Sequence, residues 1–269
     1  GKCNQETMDD VMDTPTCDYR NRDVIDGIPT PSSPGVIFQF RGQGILEVGS
    51  GSELFESDRV FRATMMKFDD AVNSLVGVSI ISILYAKKTQ TAEATKLISE
   101  SRYSQPILIA LECSMADMWV SRGVIPCAVL GHSIGEYAAC YVAGVLSLED
   151  TAKLVCKRGE LTQKHTHCYG SMVTLQASHV EVSNAITSSK QKGNVTIAAV
   201  NGEKSLVISG ASEGIDLVLA ELSNRKFFKL PSSYAFHSPL MACILPEYSE
   251  VLARVNFKKP TNCKVISTV

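Results

Sequence analysis

Apolar positions along this chain follow two spacings, and the two alternate. VIFQF (36–40) is a short, β-branched apolar run followed at once by the glycines of GQG, which predicts a buried strand. Past Asp58, a residue suited to cap a helix, Phe61, Met65, Phe68 and Val72 fall on one helical face. Pro106 is read as opening another helix, with Leu111, Met115 and Trp119 on one side. VIPCAVL (124–130) is apolar and short enough for a central strand. GEYAACYVAGVL then returns to helical spacing and is expected to stop at Gly144. Ser147 and Asp150, in SLED, form a capping box for a helix running to about residue 164.

Beyond residue 168 the order changes. SMVTL reads as a strand, SHVEVSNAITSSK as a helix, and VTIAAV and SLVISG as strands joined by NGEK. SEGIDLVLAELSN is a helix and FFKL a last strand. The sequence β-α-β-β-α-β is the ferredoxin-like order. It interrupts an otherwise β/α chain, so residues 169–232 are expected to form a small inserted subdomain. The larger part, residues 35–168 and 233–269, is then an α/β unit built on a parallel sheet. Residues 1–34 hold four of the ten prolines and seven acids against three bases, a linker-like composition.

Composition narrows the chemistry. The 269 residues are 45% hydrophobic and 20% charged, with a net charge of -2, as in a soluble globular protein with a substantial core. Nothing in that balance points to nucleic acid or an anionic membrane surface. No apolar run reaches the roughly 20 residues of a membrane helix. The polar, acidic start is no signal peptide, and the first residue, Gly1, suggests a processed or engineered product or a piece cut from a longer polypeptide. Nine cysteines with no CxxC pair are read as reduced thiols, which together suggests a cytoplasmic setting. His165, His167 and Cys168 cluster in KHTHCYG but lack a further ligand at suitable spacing. They are read as a connecting loop, with no metal site.

The stretch AVLGHSIGEYAAC (128–140) concentrates the chemistry. Gly131, Ser133 and Gly135 make G-x-S-x-G between an expected strand and an expected helix, the context that exposes a serine nucleophile. The serine stands at a helix N-terminus, where free N–H groups favour negative charge, and the Ile134 N–H is placed to meet a tetrahedral oxyanion. A hydroxyl needs a base, and His237 is the candidate. GQGILE (42–47) lacks the third glycine of a dinucleotide loop.

GHSIGE resembles the malonyl-CoA:acyl-carrier-protein transacylase family, the acyltransferase domains of fatty acid and polyketide synthases. FRGQG (40–44), SQPILIALE (104–112), VCKRGELTQ (155–163), AAVNGEKSLVISG (198–210) and YAFHSPLM (234–241) resemble further blocks of that family, in its order. The resemblance implies a hydrolase-like large subdomain with an inserted ferredoxin-like one. It implies a Ser133–His237 dyad without an acid, and a second oxyanion donor in the Gln43 N–H. Arg158 corresponds to the arginine that pairs with the free malonyl carboxylate, a task suited to a guanidinium fork. Phe236 and Ile134 favour malonyl over methylmalonyl, whereas Tyr234 leans the other way. His132 is given a binding or packing role. The implied reaction uses no bound cofactor. It moves malonyl from malonyl-CoA to the phosphopantetheine thiol of an acyl carrier protein through an acyl-serine, with a ketosynthase domain as a possible covalent neighbour.

Arg41, Leu46 and Thr162 depart from the family's usual residues, and Thr268 stands where it has Asn. The sequence then stops short of the family's following segment, so the large subdomain is expected to be incomplete at its C-terminus. Two other functions stay open on the residues: an acyl-thioester hydrolase that clears stalled groups, and a docking module without catalysis.

Overall fold

The structure is a computed structural model that describes residues 35–44, 46–165, 168–231 and 233–268. The linker-like segment 1–34 lies outside them. All the elements below lie in the unit that begins at Val36.

Strand β1 (Val36–Phe40) pairs in parallel with β2 (Pro126–Gly131), and β2 pairs in parallel with β7 (Lys264–Ile266) on its other side. β2 is therefore central, as its β-branched, apolar sequence requires. Between β1 and β2 run helices α1 (Ser52–Ser57), α2 (Arg59–Val76), α3 (Ile80–Leu84), α4 (Thr91–Ile98) and α5 (Ser101–Ser121). Asp58 caps α2 by accepting from the N–H groups of Val60 and Phe61, both at 2.9 Å. Phe61, Met65, Phe68 and Val72 are all completely buried, so the spacing read from sequence is the packed face.

α5 differs from expectation. Pro106 lies in its second turn and does not open it. The helix starts earlier because the Glu100 carbonyl accepts from Tyr103 and Ser104, while Gln163 Oε1 accepts from the Ser101 N–H at 3.0 Å. Met115 and Trp119, on the same side of the helix as Leu111, are 44% and 43% exposed. The first half of α5 is buried on every side, from Tyr103 to Leu111, so no single apolar stripe marks its inner face.

After β2, α6 (Gly135–Val142) ends in a Schellman turn. Gly144 has φ 80°, its N–H donates to Tyr141, and the Val145 N–H donates to Cys140. α7 (Leu148–Lys164) is capped by Ser147, whose hydroxyl accepts from the Asp150 N–H at 3.0 Å.

A second, antiparallel sheet contains β3 (Ser171–Leu175), β4 (Val195–Gly202), β5 (Ser205–Gly210) and β6 (Phe227–Lys229), in the order β4-β5-β3-β6. With α8 (His179–Ser188) and α9 (Ser212–Glu221), this is the expected β-α-β-β-α-β arrangement. It buries its own core, including Val173, Leu175, Val182, Ile208, Ile215 and Val218. A 3₁₀ turn (Pro239–Ile244) and α10 (Leu245–Leu252) lead to β7. The fold class is thus α/β with a parallel sheet plus a small antiparallel subdomain. Among the described residues no helix is long and apolar enough to cross a membrane.

Candidate active site

Strand β2 delivers the chain to a turn with almost no free space. A Cβ on Gly135 would stand 2.6 Å from the Arg41 carbonyl oxygen and 2.7 Å from that of Phe40. A Cβ on Gly131 would strike the backbone of Glu136. Both glycines are therefore steric necessities where strand, turn and helix cross. Ser133 sits between them at φ 54°, the left-handed region that side chains avoid. Holding it there costs about 1–3 kcal/mol, which the surrounding backbone must supply.

The strain has a geometric result. Ser133 Oγ lies 2.6 Å from His237 Nε2, across 104 residues of sequence. His237 is also at positive φ, 60°. It stands at the end of a segment tied to the start of the small subdomain, for the Ala235 N–H donates to the Cys168 carbonyl and Tyr169 bridges Tyr234. A neutral imidazole with a free Nε2 lone pair can accept the serine proton. The surroundings favour that form. Burial lowers the His237 pKa from its ordinary value, the charges of Arg158 and His132 lower it further, and Glu136 opposes them. Among the described residues no carboxylate is hydrogen-bonded to His237.

Arg158 projects from α7 and is half-buried. Its Nη1 donates to Gln105 Oε1 at 2.8 Å, and its guanidinium lies over the Phe236 ring, 5.3 Å from the centroid. Among the described residues no acid forms an ion pair with it. Gly159 allows this placement: a Cβ there would lie 2.5 Å from the Ser101 carbonyl oxygen, so α7 presses directly on the first turn of α5.

Ile134 is 1% exposed and heads the turn into α6. Among the described residues no carbonyl accepts its N–H. Gln43 lies in the exposed bend of the Gly42–Gly44 loop. His132 packs beneath that loop, since a Cβ on Gly42 would be 2.6 Å from its Nδ1. Of the rejected metal cluster, His165 is 3.4 Å from Glu247, Cys168 Sγ is 3.2 Å from Cys243 Sγ, and His167 lies outside the described residues.

Two supporting glutamines carried no role in the sequence reading. Gln105 is wholly buried and holds Arg158. Gln163 accepts from both the Ser101 N–H and the Tyr234 hydroxyl, at 3.0 and 3.1 Å. The available signal was a glutamine at the head of the apolar run QPILIAL, since a buried polar group implies a partner.

Residues 37–269 match the family model described as the acyl transferase domain. The chain belongs to that family. It is 37% identical over 238 residues to the PKS-NRPS hybrid synthetase acdB of Aspergillus candidus, covering 88% of this chain and 9% of that protein. It is 38% identical over 236 residues to mycoketide-CoA synthase of Mycobacterium tuberculosis, covering 87% and 5%. The acyltransferase domain from the second module of the salinomycin polyketide synthase superposes with a TM-score of 0.77 at 34% identity, covering 88% and 53%. The malonyl-CoA:acyl carrier protein transacylase of Xanthomonas oryzae superposes with a TM-score of 0.75 at 29% identity, covering 86% and 72%. This acyltransferase domain thus spans less than a tenth of the length of those two curated relatives.

Proposed function

We propose that this chain transfers a malonyl group from malonyl-CoA to the phosphopantetheine thiol of an acyl carrier protein, and that Ser133 carries the group between them. The observation that supports this most is the 2.6 Å Ser133–His237 contact, with a guanidinium over the adjoining Phe236 ring that no acid among the described residues pairs. Ser133 Oγ attacks the thioester carbonyl while His237 Nε2 takes its proton. The N–H groups of Ile134 and Gln43 meet the oxyanion. Each such donor is worth on the order of 10²–10³ in rate. Collapse expels coenzyme A, whose sulfur takes the proton from His237. In the second half the carrier thiol gives its proton to His237 and attacks the acyl-serine, and Ser133 recovers the proton. One thioester is exchanged for another.

Arg158 supports the choice of malonyl. A half-buried guanidinium with no acid among the described residues carries an electrostatic cost that a substrate carboxylate offsets bidentately. Gln105 keeps the fork aimed, and Phe236 packs on its face. The carrier protein and a linked ketosynthase belong to this same proposal, supported by relatives that are much longer synthases.

Intact-mass measurement after exposure to malonyl-CoA tests the reading. A stable malonyl adduct, absent in Ser133→Ala and discharged by carrier protein faster than by water, is expected. Discharge by water alone would instead favour a hydrolase. Arg158→Ala should slow malonyl loading by about 10- to 100-fold, the loss of one charged hydrogen bond, while acetyl loading is spared. Equal losses with both acyl groups would refute the role of Arg158.

A further inference from the structure

Arg41 follows the last residue of β1, and its N–H leaves the strand ladder just where the Gly42–Gly44 loop begins. That N–H is received by a side chain from 71 residues away: it donates to Glu112 Oε1 at 3.1 Å. Glu112 is on α5, in the block SQPILIALE, and its other oxygen is buried with no hydrogen-bond partner among the described residues. The carboxyl group faces a cavity of about 190 Å³ lined by Arg41, Leu46, Gly51, Leu108 and Leu111.

We propose that Glu112 is a positioning residue for the oxyanion loop: its carboxyl group holds the Arg41 N–H and thereby sets where Gly42, Gln43 and Gly44 lie. The proposal rests on the reading of Gln43 as the second oxyanion donor. Three contacts among the described residues brace the loop. His132 supports Gly42, Gly135 abuts the Arg41 carbonyl, and Glu112 holds the Arg41 N–H. The first two belong to the nucleophile turn itself. Glu112 is the brace that comes from α5, so it fixes the Gln43 donor relative to the body of the domain. Burial raises the Glu112 pKa to about 8, against the opposing pull of the Arg41 N–H and charge. A carboxyl group is thus kept largely neutral in an unfavourable place at the root of this loop. Displacing an oxyanion donor by about 1 Å costs on the order of 10²-fold in rate, so a modest anchor has a large effect.

The test compares the 269-residue chain with Glu112→Ala, Glu112→Gln and Met115→Ala, the last removing volume from the same cavity but no hydrogen bond. Hydrogen exchange of the Arg41 amide and the kinetics of malonyl loading are both measured. In Glu112→Ala the Arg41 amide should exchange faster and kcat should fall at least about tenfold with KM nearly unchanged. Glu112→Gln, which presents the same acceptor oxygen, should restore both, and Met115→Ala should alter neither. Wild-type exchange and kcat in Glu112→Ala would overturn the proposal. So would a glutamine variant that behaves like alanine, or an equal kcat loss in Met115→Ala. A wild-type chain that takes up no malonyl group would count against the proposed function instead, and the Arg41 exchange would still decide the anchor.

Discussion

Ser133 and His237 share an unusual backbone conformation, at φ 54° and 60°. Each side chain emerges from a bend that an ordinary strand or helix would not provide, and the two meet head-on. The protonation state of the pair follows from its neighbours. His237 is pushed below 6.5 first by burial, then by Arg158 and His132. A base with a lowered pKa remains neutral to lower pH, so the acidic limb of kcat/KM should lie below the ordinary histidine value. Arg158→Ala removes one positive charge and should move that limb to higher pH. Acetyl-CoA is the substrate for the measurement, since it needs no guanidinium. An unmoved limb would mean that Arg158 and His237 are not electrostatically coupled.

At the scale of elements, the contact of α5 with α7 decides where Arg158 stands against Gln105 and the Phe236 ring. Glycine inside a helix costs roughly 1 kcal/mol against alanine, so propensity alone recommends Gly159→Ala. The packing says otherwise, because the added carbon would lie 2.5 Å from the Ser101 carbonyl oxygen and 2.9 Å from the Arg102 Cα. Forcing backbone apart costs typically about 1–3 kcal/mol, which outweighs the propensity gain. Gly159→Ala should therefore lower the melting temperature. It should also depress malonyl loading more than acetyl loading, because α7 carries Arg158. A variant that is more stable than wild type would show that the helices can yield at this point.

The whole molecule records Glu112 in its pH dependence. The folded chain holds this proton up to a pKa of about 8, whereas the reference value is 4.5. Between those values the folded state binds more protons than the unfolded one. The associated stability is fully present below pH 4.5 and is lost as pH rises through 8. Arg41 opposes this, and the nearby Cys113 feels the same carboxylate. Glutamine does not titrate, so the melting temperature of Glu112→Gln relative to wild type should climb from pH 5 to 8 and then level off. A flat difference across that range would mean that Glu112 titrates normally.

Much of this was legible before any coordinates. The buried face of α2, the Gly144 stop, the β-α-β-β-α-β order and the G-x-S-x-G turn are local patterns, and local sterics and periodicity determine them. The start of α5 lies ahead of Pro106, because it depends on Gln163 from another helix, and its first half is buried on all sides, which no single stripe records. The elements, the turn and the kind of chemistry are readable in the chain order, since these rest on neighbours within a few residues. Packing across the fold brings Ser133 to His237, Arg158 to Gln105 with no acid among the described residues, and Glu112 to the Arg41 N–H. Those pairs are separated by 104, 53 and 71 residues. Hydrogen bonds act over about 3 Å, and only the packed fold brings such distant residues within that reach.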